Sequence, residues 1–351
     1  VFSRRKDSSV TIEELAKSEG IWNIDQQSNT DLVLKSSVRF SRNLSGYPFS
    51  HKLKPQDKTV VSSQLIDMIQ LRPYCANCDM YNFNDVESTD RKIFFERNII
   101  GDDNMSDSVL MLSENQNLYF LLNADDHLQL ITSWPGYQFD AAYALGRKII
   151  TDFEGSLDFA FSPRFGYLTA DPYRSGTGMT LSVIFHLAGL IHSGRINELM
   201  IELDEKDLVL RGSWIDGYYE ILNRKSVGKP EQALYDATLE SFEHIIRKER
   251  QFRIESYERN RNFIEDKVWR SYGILLSCRT ISLFEALELF SNLRLGISLE
   301  LIDYVQVREI NILLHFIQDY HLRKRYNIKD DGINLDEMRA LFIRDFLKEV
   351  I

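Results

Sequence analysis

Three short apolar runs follow one another between residues 109 and 132: Val109-Leu110-Met111-Leu112, Leu118-Tyr119-Phe120-Leu121-Leu122 and Leu128-Gln129-Leu130-Ile131-Thr132. Each has the length of a strand, and the polar connectors are too short for a parallel crossover, so the runs read as an antiparallel meander. Residues 32–44 alternate in part, as a half-buried strand does, and Leu199 to Leu210 alternates again. Lys58 to Leu71 and Phe139 to Phe153 instead space their apolar residues as amphipathic helices. Trp22 to Asp31 reads as loop. Capping-box patterns at Thr11-Ile12-Glu13-Glu14 and Ser282-Leu283-Phe284-Glu285 open further helices. The expected class is α+β: a large antiparallel sheet flanked by helices over 22–265, a short segment 1–21 before it, and an all-helical domain over 266–351. The charged stretch from Glu231 to about Glu265 reads as one long helix or two.

Between sheet and tail lies Gly166-Tyr167-Leu168-Thr169-Ala170-Asp171-Pro172-Tyr173-Arg174-Ser175-Gly176-Thr177-Gly178. It begins strand-like and becomes a loop of small residues. The apolar run Leu181 to Leu190 after it reads as a buried helix. Glycines ahead of a helix N-terminus can let free N–H groups meet an anion; a tight turn into a packed helix is the plainer reading. The connector Asn123-Ala124-Asp125-Asp126-His127 sets carboxylates beside a histidine. That pattern suits a metal or acid–base cluster, and equally a solvated hairpin.

Composition narrows the function classes. A formal net charge of −10 argues against a nucleic-acid surface. No apolar stretch is long enough to span a membrane, and none follows the basic start Val1-Phe2-Ser3-Arg4-Arg5-Lys6. Three cysteines make no disulfide framework, so a reducing cytoplasm is expected. Cys75 and Cys78 form one C-x-x-C, with no second pair nearby to complete a zinc site.

The central loop resembles the G-Y-L-T-x-C-P-T-N-x-G-T-G segment of the ATP:guanido phosphotransferases, a family of phosphagen kinases and bacterial protein arginine kinases. Several other motifs agree with it. Lys35 to Leu44 aligns with S-S-R-V-R-x-x-R-N-L, whose first two arginines grip nucleotide phosphates; here these are Ser37 and Arg39. Asn123 to Gln129 matches N-E-E-D-H-L-R, with Ala124 and Asp125 at the two glutamates, Asp126 and His127 kept, and Gln129 at the phosphate arginine. Thr180 stands at another phosphate arginine, whereas Arg211-Gly212 keeps the family's V-R-G. The loop Ser213-Trp214-Ile215-Asp216-Gly217 is shorter than the family's glutamate-bearing loop. Asp171 replaces the reactive cysteine, and Tyr173-Arg174 replaces a Thr-Asn pair. The helical tail, with R-S-Y-G-I-L and R-L-G-I, is similar to that of the bacterial protein arginine kinases. In those, R-D-x-x-R-A recognises phosphoarginine; Leu335-Asp336-Glu337-Met338-Arg339-Ala340 aligns with it.

The resemblance implies a phosphagen-kinase fold with a catalytic set at Asp125, Asp126 and Asp171. It implies phosphate contacts at Ser37, Arg39, Gln129, Arg174, Thr180 and Arg211, and a phosphoarginine site at Asp336 and Arg339. Three of five family arginines are neutral here. The expectation is therefore a homologue with a degraded ATP and catalytic site: a pseudokinase or scaffold, weak in nucleotide binding, that holds arginine- or phosphoarginine-bearing protein partners. The alternative is an active ATP:protein-arginine phosphotransferase with a rearranged phosphate site, using ATP and Mg. Asp171 is expected to face Asp125 and Asp126 and to pair with Arg174 or Arg211. The resemblance further implies a homodimer formed through the tail, an activator protein and a Clp-type protease as partners.

Overall fold

The computed structural model describes residues 10–24, 29–75, 77–101, 105–213, 215, 217–328 and 334–350. In chain order, α1 (Ile12–Lys17) leads to β1 (Val33–Arg42), α2 (Pro55–Gln70), β2 (Asp79–Asn82), α3 (Ser88–Glu96), β3 (Val109–Leu112), β4 (Leu118–Leu122) and β5 (Leu128–Pro135). Then come α4 (Phe139–Glu154), a small hairpin of β6 (Phe161–Ser162) and β7 (Gly166–Tyr167), β8 (Met179–His186), α5 (Ala188–His192), α6 (Ile196–Glu205), β9 (Leu208–Gly212) and β10 (Tyr218–Asn223). The remainder is helical: α7 (Glu231–Arg259), α8 (Arg261–Ser277), α9 (Leu283–Ser298), α10 (Val307–Phe316), α11 (Asp319–Arg325) and α12 (Leu335–Val350).

The expected meander forms as β3, β4 and β5, inside an eight-stranded sheet ordered β2-β3-β4-β5-β1-β8-β10-β9. Every pairing in it is antiparallel. Both capping signals act: Thr11 and Glu14 bond reciprocally at the start of α1, and the Ser282 side chain accepts from Glu285 N–H. The charged stretch is two helices that meet at Asn260.

The two faces of the sheet explain where a site can open. On one, Val38 and Phe40 of β1, Leu130 of β5 and Leu181, Val183 and Phe185 of β8 pack against Leu65 of α2, Ile149 and Phe153 of α4 and Phe242 of α7. The other face has two separate covers. Leu34, Ile184 and Tyr218 lie under the C-terminal helices, and Leu110, Tyr119 and Ile131 lie under α1 and α3. Between these covers the sheet carries polar side chains. A β-bulge sets the phase: Val33 pairs with Phe185 but Lys35 pairs with Ile184, leaving Leu34 as the extra residue. Lys35, Ser37 and Arg39 therefore follow one another along the open face.

Three readings of the sequence need correction. Leu181 to Leu190 is mostly strand: β8 ends at His186 and only the five-residue α5 follows. A strand buried on both faces reads as a continuous apolar run, which periodicity alone does not tell from a buried helix. Leu199 to Leu210 is the end of α6 followed by β9. Leu199 and Leu203 form its buried face, while Met200 and Ile201 are exposed. The loop expected over 22–31 is corrected only at its start, where the 3-10 turn Gly20–Asn23 takes in Trp22 and Asn23. Residues 25–28 lie outside the described residues, as do Trp214, Asp216 and the basic start at 1–9.

Candidate active site

A cleft of about 710 Å³ opens at the polar gap in the sheet cover. Its walls include Arg39 of β1, Gln129 of β5, Asp125 and Asp126 of the β4–β5 turn, Asp171 and Arg174 of the loop before β8, and Arg211 of β9. A smaller recess of about 70 Å³ adjoins it, lined among others by Ser37, Arg39, Thr180, Arg211 and Glu220. All nine residues expected in the cleft thus line one or other of two hollows that share Arg39 and Arg211. Asp336 and Arg339 do not join them; they stand on α12 in the C-terminal helices.

Sheet register orders the anion end. Thr180 is directly beside Arg39 on β8, Ser37 faces Ser133 on β5 and Ser182 on β8, and Gln129 faces Ser41. The three neutral replacements therefore surround Arg39. Ser37 Oγ shares a 2.8 Å hydrogen bond with Ser133 Oγ. Gln129 is 3% exposed, and among the described residues its Nε2 has no hydrogen-bond partner. Arg39 Nε is likewise buried without a partner. A buried donor left unsatisfied costs about 1–3 kcal/mol, so both atoms favour a ligand with acceptor oxygens.

The loop owes its shape to two glycines. A Cβ at Gly166, where φ is +77°, would lie 2.6 Å from Gly176 backbone atoms; one at Gly178, where φ is +61°, would lie 2.5 Å from Ser41 O. Their lack of side chains lets the loop close on itself and on β1, and no helix N-terminus follows to receive an anion. Asp126, 3% exposed, locks the base of the loop: its Oδ1 accepts from Asn43 Nδ2 and Ala170 N, both at 2.7 Å. Burial raises its carboxyl above the usual range. His127 accepts from Leu44 N–H at Nδ1, 3.0 Å, and its Nε2 lies 2.8 Å from Pro48 O, so it is the neutral Nε2–H tautomer. Burial also pulls its pKa down. Arg42 is consumed by Glu154, Ser41 O and Thr177 O, and stacks 3.7 Å from the Tyr167 ring centroid.

Asp171 caps the turn Pro172–Arg174, accepting from Tyr173 N–H at 3.0 Å, and its Oδ2 lies 3.4 Å from Arg174 Nε. Burial, and after it the neighbouring Arg39, lower the Arg174 pKa, with Asp171 and Asp125 acting the other way. Arg211 is held by Glu220, its cross-strand neighbour, at 2.7 Å. Glu220 escaped the sequence reading; the register of β9 against β10 is the signal that locates it. Among the described residues, no hydrogen bond or ion pair engages the Asp125 side chain. In the tail, Arg339 is 1% exposed and donates to Ile317 O, Ile281 O, Asp336 and Asp319.

The comparisons bear on this geometry. The sequence model described as the ATP:guanido phosphotransferase C-terminal catalytic domain matches residues 61–252, and that of the protein-arginine kinase McsB C-terminal domain matches 261–351. The chain belongs to the protein-arginine kinase family of ATP:guanido phosphotransferases. It is 30% identical to the protein-arginine kinase of Syntrophomonas wolfei, over 93% of this chain and 94% of that one. It is also 30% identical to that of Symbiobacterium thermophilum, over 95% and 98%. The taurocyamine kinase of Schistosoma mansoni shares the fold at a TM-score of 0.57 and 17% identity, over 66% of this chain and 35% of that one. Lombricine kinase does so at 0.55 and 16%, over 64% and 68%. These structures confirm the phosphagen-kinase fold.

Proposed function

We propose that this protein-arginine-kinase homologue is a scaffold that binds arginine- or phosphoarginine-bearing protein partners in its cleft and transfers phosphoryl groups poorly. The observation that carries the reading is the charge balance around Arg39. The four cations Arg39, Lys58, Arg174 and Arg211 are matched by the four carboxyl groups of Asp125, Asp126, Asp171 and Glu220, and Lys58, Arg174 and Arg211 are already paired. Phosphoryl transfer relies on positioning and on cations that meet the charge of the moving group. Magnesium-bound ATP remains a net anion and needs a positive site. A mixed set of arginines and carboxylates instead suits a ligand that has a guanidinium at one end and an anionic group at the other. The free Arg39 and Gln129 donors fit phosphate oxygens, so ATP, which the family implies as co-substrate with Mg, has a place here, but a weak one.

Calorimetry with Mg-ATP and a non-hydrolysable analogue, alongside a transfer assay on an arginine-rich protein, tests the reading. Weak nucleotide binding with little transfer is expected; low-micromolar affinity with brisk transfer sinks it. One observation favours the second reading, an active ATP:protein-arginine phosphotransferase. Arg174 enters the same cleft as Arg39 and Arg211, and its contact with Asp171 is long at 3.4 Å, so it can turn to a phosphate. We also propose a two-fold dimer through the C-terminal helices, where Phe263, Trp269, Phe284 and Tyr304 are exposed. A monomer in sedimentation at working concentration refutes this. The described residues contain no helix long and apolar enough to cross a membrane. A cytoplasmic setting, with an activator protein and a Clp-type protease as partners, belongs to the same proposal.

A further inference from the structure

Cys75 and Cys78 lie away from the cleft, in the turn between α2 and β2, and the phosphoryl-transfer reading makes no use of them. Both are free thiols. Cys78 N–H donates to Cys75 O at 3.0 Å, the hydrogen bond of a four-residue turn. Such a turn holds its end Cα atoms within about 7 Å, a separation that falls within reach of a disulfide. The turn is anchored on the end of α4 and the residues after it: Arg72 Nε and Tyr74 OH reach Asp152 Oδ2 at 2.5 and 2.6 Å, and Arg72 Nη2 reaches Ser156 Oγ at 2.7 Å. The two thiols have unequal access to solvent. Cys75 is 1% exposed within the core beneath α2, whereas Cys78 is half-buried and open to solvent. Interaction with Cys78, and after it burial, raise the Cys75 pKa, and interaction with Cys75 lowers that of Cys78. Among the described residues no group of three or more His, Cys, Asp or Glu side chains is placed to hold a metal ion, so nothing completes a metal site around the pair.

We propose that Cys75 and Cys78 are a redox-active dithiol that closes reversibly to an intramolecular disulfide by exchange with a small-molecule disulfide, Cys78 attacking and Cys75 resolving. In the first step the Cys78 thiolate forms a bond to one sulfur of the small disulfide, whose S–S bond breaks and releases one thiolate. In the second, Cys75 gives up its proton to solvent and attacks Cys78 Sγ, expelling the second small thiolate, which takes up a proton. Two protein thiols are oxidised and one small disulfide is reduced to two thiols. The accessible, thiolate-prone sulfur is the one placed to meet the reagent, and the buried one is placed to meet only Cys78.

The test uses the reduced full chain, exposed to oxidised glutathione, quenched with acid, alkylated with N-ethylmaleimide and mapped by mass spectrometry. Cys75 and Cys78 should lose alkylation together and appear as a linked pair two hydrogens lighter, restored by dithiothreitol. Cys75→Ala should trap a stable glutathione adduct on Cys78, and Cys78→Ser should leave Cys75 unreacted. If Cys75→Ala does not fold, an early time point of the parent chain replaces it, where the adduct should sit on Cys78. Full alkylation of both residues after oxidation, an adduct confined to Cys278, or first attack at Cys75 overturns the proposal.

Discussion

Arg39 shows how a single residue can be legible in sequence while its setting is not. Its identity follows from the motif of β1; that Thr180 lies beside it and Ser37 and Gln129 close by follows only from strand register. If those neutral positions set nucleotide affinity, Ser37→Arg, Gln129→Arg and Thr180→Arg together should tighten Mg-ATP binding by at least about tenfold. Each charge-assisted contact is worth about 1.5–3 kcal/mol, less the cost of burying guanidiniums next to Arg39. Titration calorimetry decides, and unchanged affinity removes the explanation. Asp171 and Arg174 form the pair expected from their spacing, three residues apart on one loop. Asp171→Asn should release Arg174 and strengthen binding of the ATP analogue severalfold, whereas Arg174→Ala should weaken it. Equal affinities for both variants and the parent would show that Arg174 has no role in anion binding.

At the scale of elements, legibility followed the burial pattern. The helices α2 and α4 each have one face packed and carry a clear period, whereas the meander strands are packed on both faces and were readable from their length and the short polar connectors between them. β8 is packed on both faces too, with Leu181, Val183 and Phe185 in one core and Ile184 in another, but its apolar run continues into α5 without a polar break, so its length did not mark it as a strand. The central loop was recognisable as a motif, yet its glycines serve its own closure. Asp126 holds this closure. Asp126→Ala should therefore destabilise the fold by about 2 kcal/mol, since it leaves the Ala170 N–H, and in part the Asn43 amide, unsatisfied. A lower urea midpoint at unchanged slope is the expected reading. A midpoint equal to the parent's would mean that the loop is held elsewhere, for instance by Ser226, whose Oγ donates to Arg174 O and Ser175 O.

Across the whole molecule, contacts between distant parts of the chain were invisible in the sequence, because nothing local announces them. Trp22 Nε1 donates to His315 Nδ1, 293 residues away. The C-terminal helices share a core with Leu34, Ile184 and Tyr218 of the sheet. One buried polar junction makes this coupling testable. Glu96 of α3 accepts from the backbone N–H groups of Tyr320 and His321, and its Oε2 lies 2.6 Å from His321 Nδ1. Arg97 Nε meets the other ring nitrogen at 3.1 Å, and Asp319 adds a nearby negative charge. Burial pushes the Glu96 pKa up to about 8, and burial with Arg97 keeps His321 well below its ordinary value. Glu96 therefore stays protonated in the folded state at pH values where the unfolded chain, with a carboxyl near 4.3, has released its proton. The folded state binds more protons, so its stability falls as pH rises towards 8. Neutral His321 acts in the opposite direction, but only below about pH 6.5, where the unfolded ring takes up a proton. Between about pH 6.5 and 8 the Glu96 effect should therefore stand alone at this junction and lower stability by about 1–2 kcal/mol. Glu96→Gln, neutral at every pH, should flatten that part of the urea-stability curve. Parallel curves for the parent and the variant over this window would place the proton elsewhere.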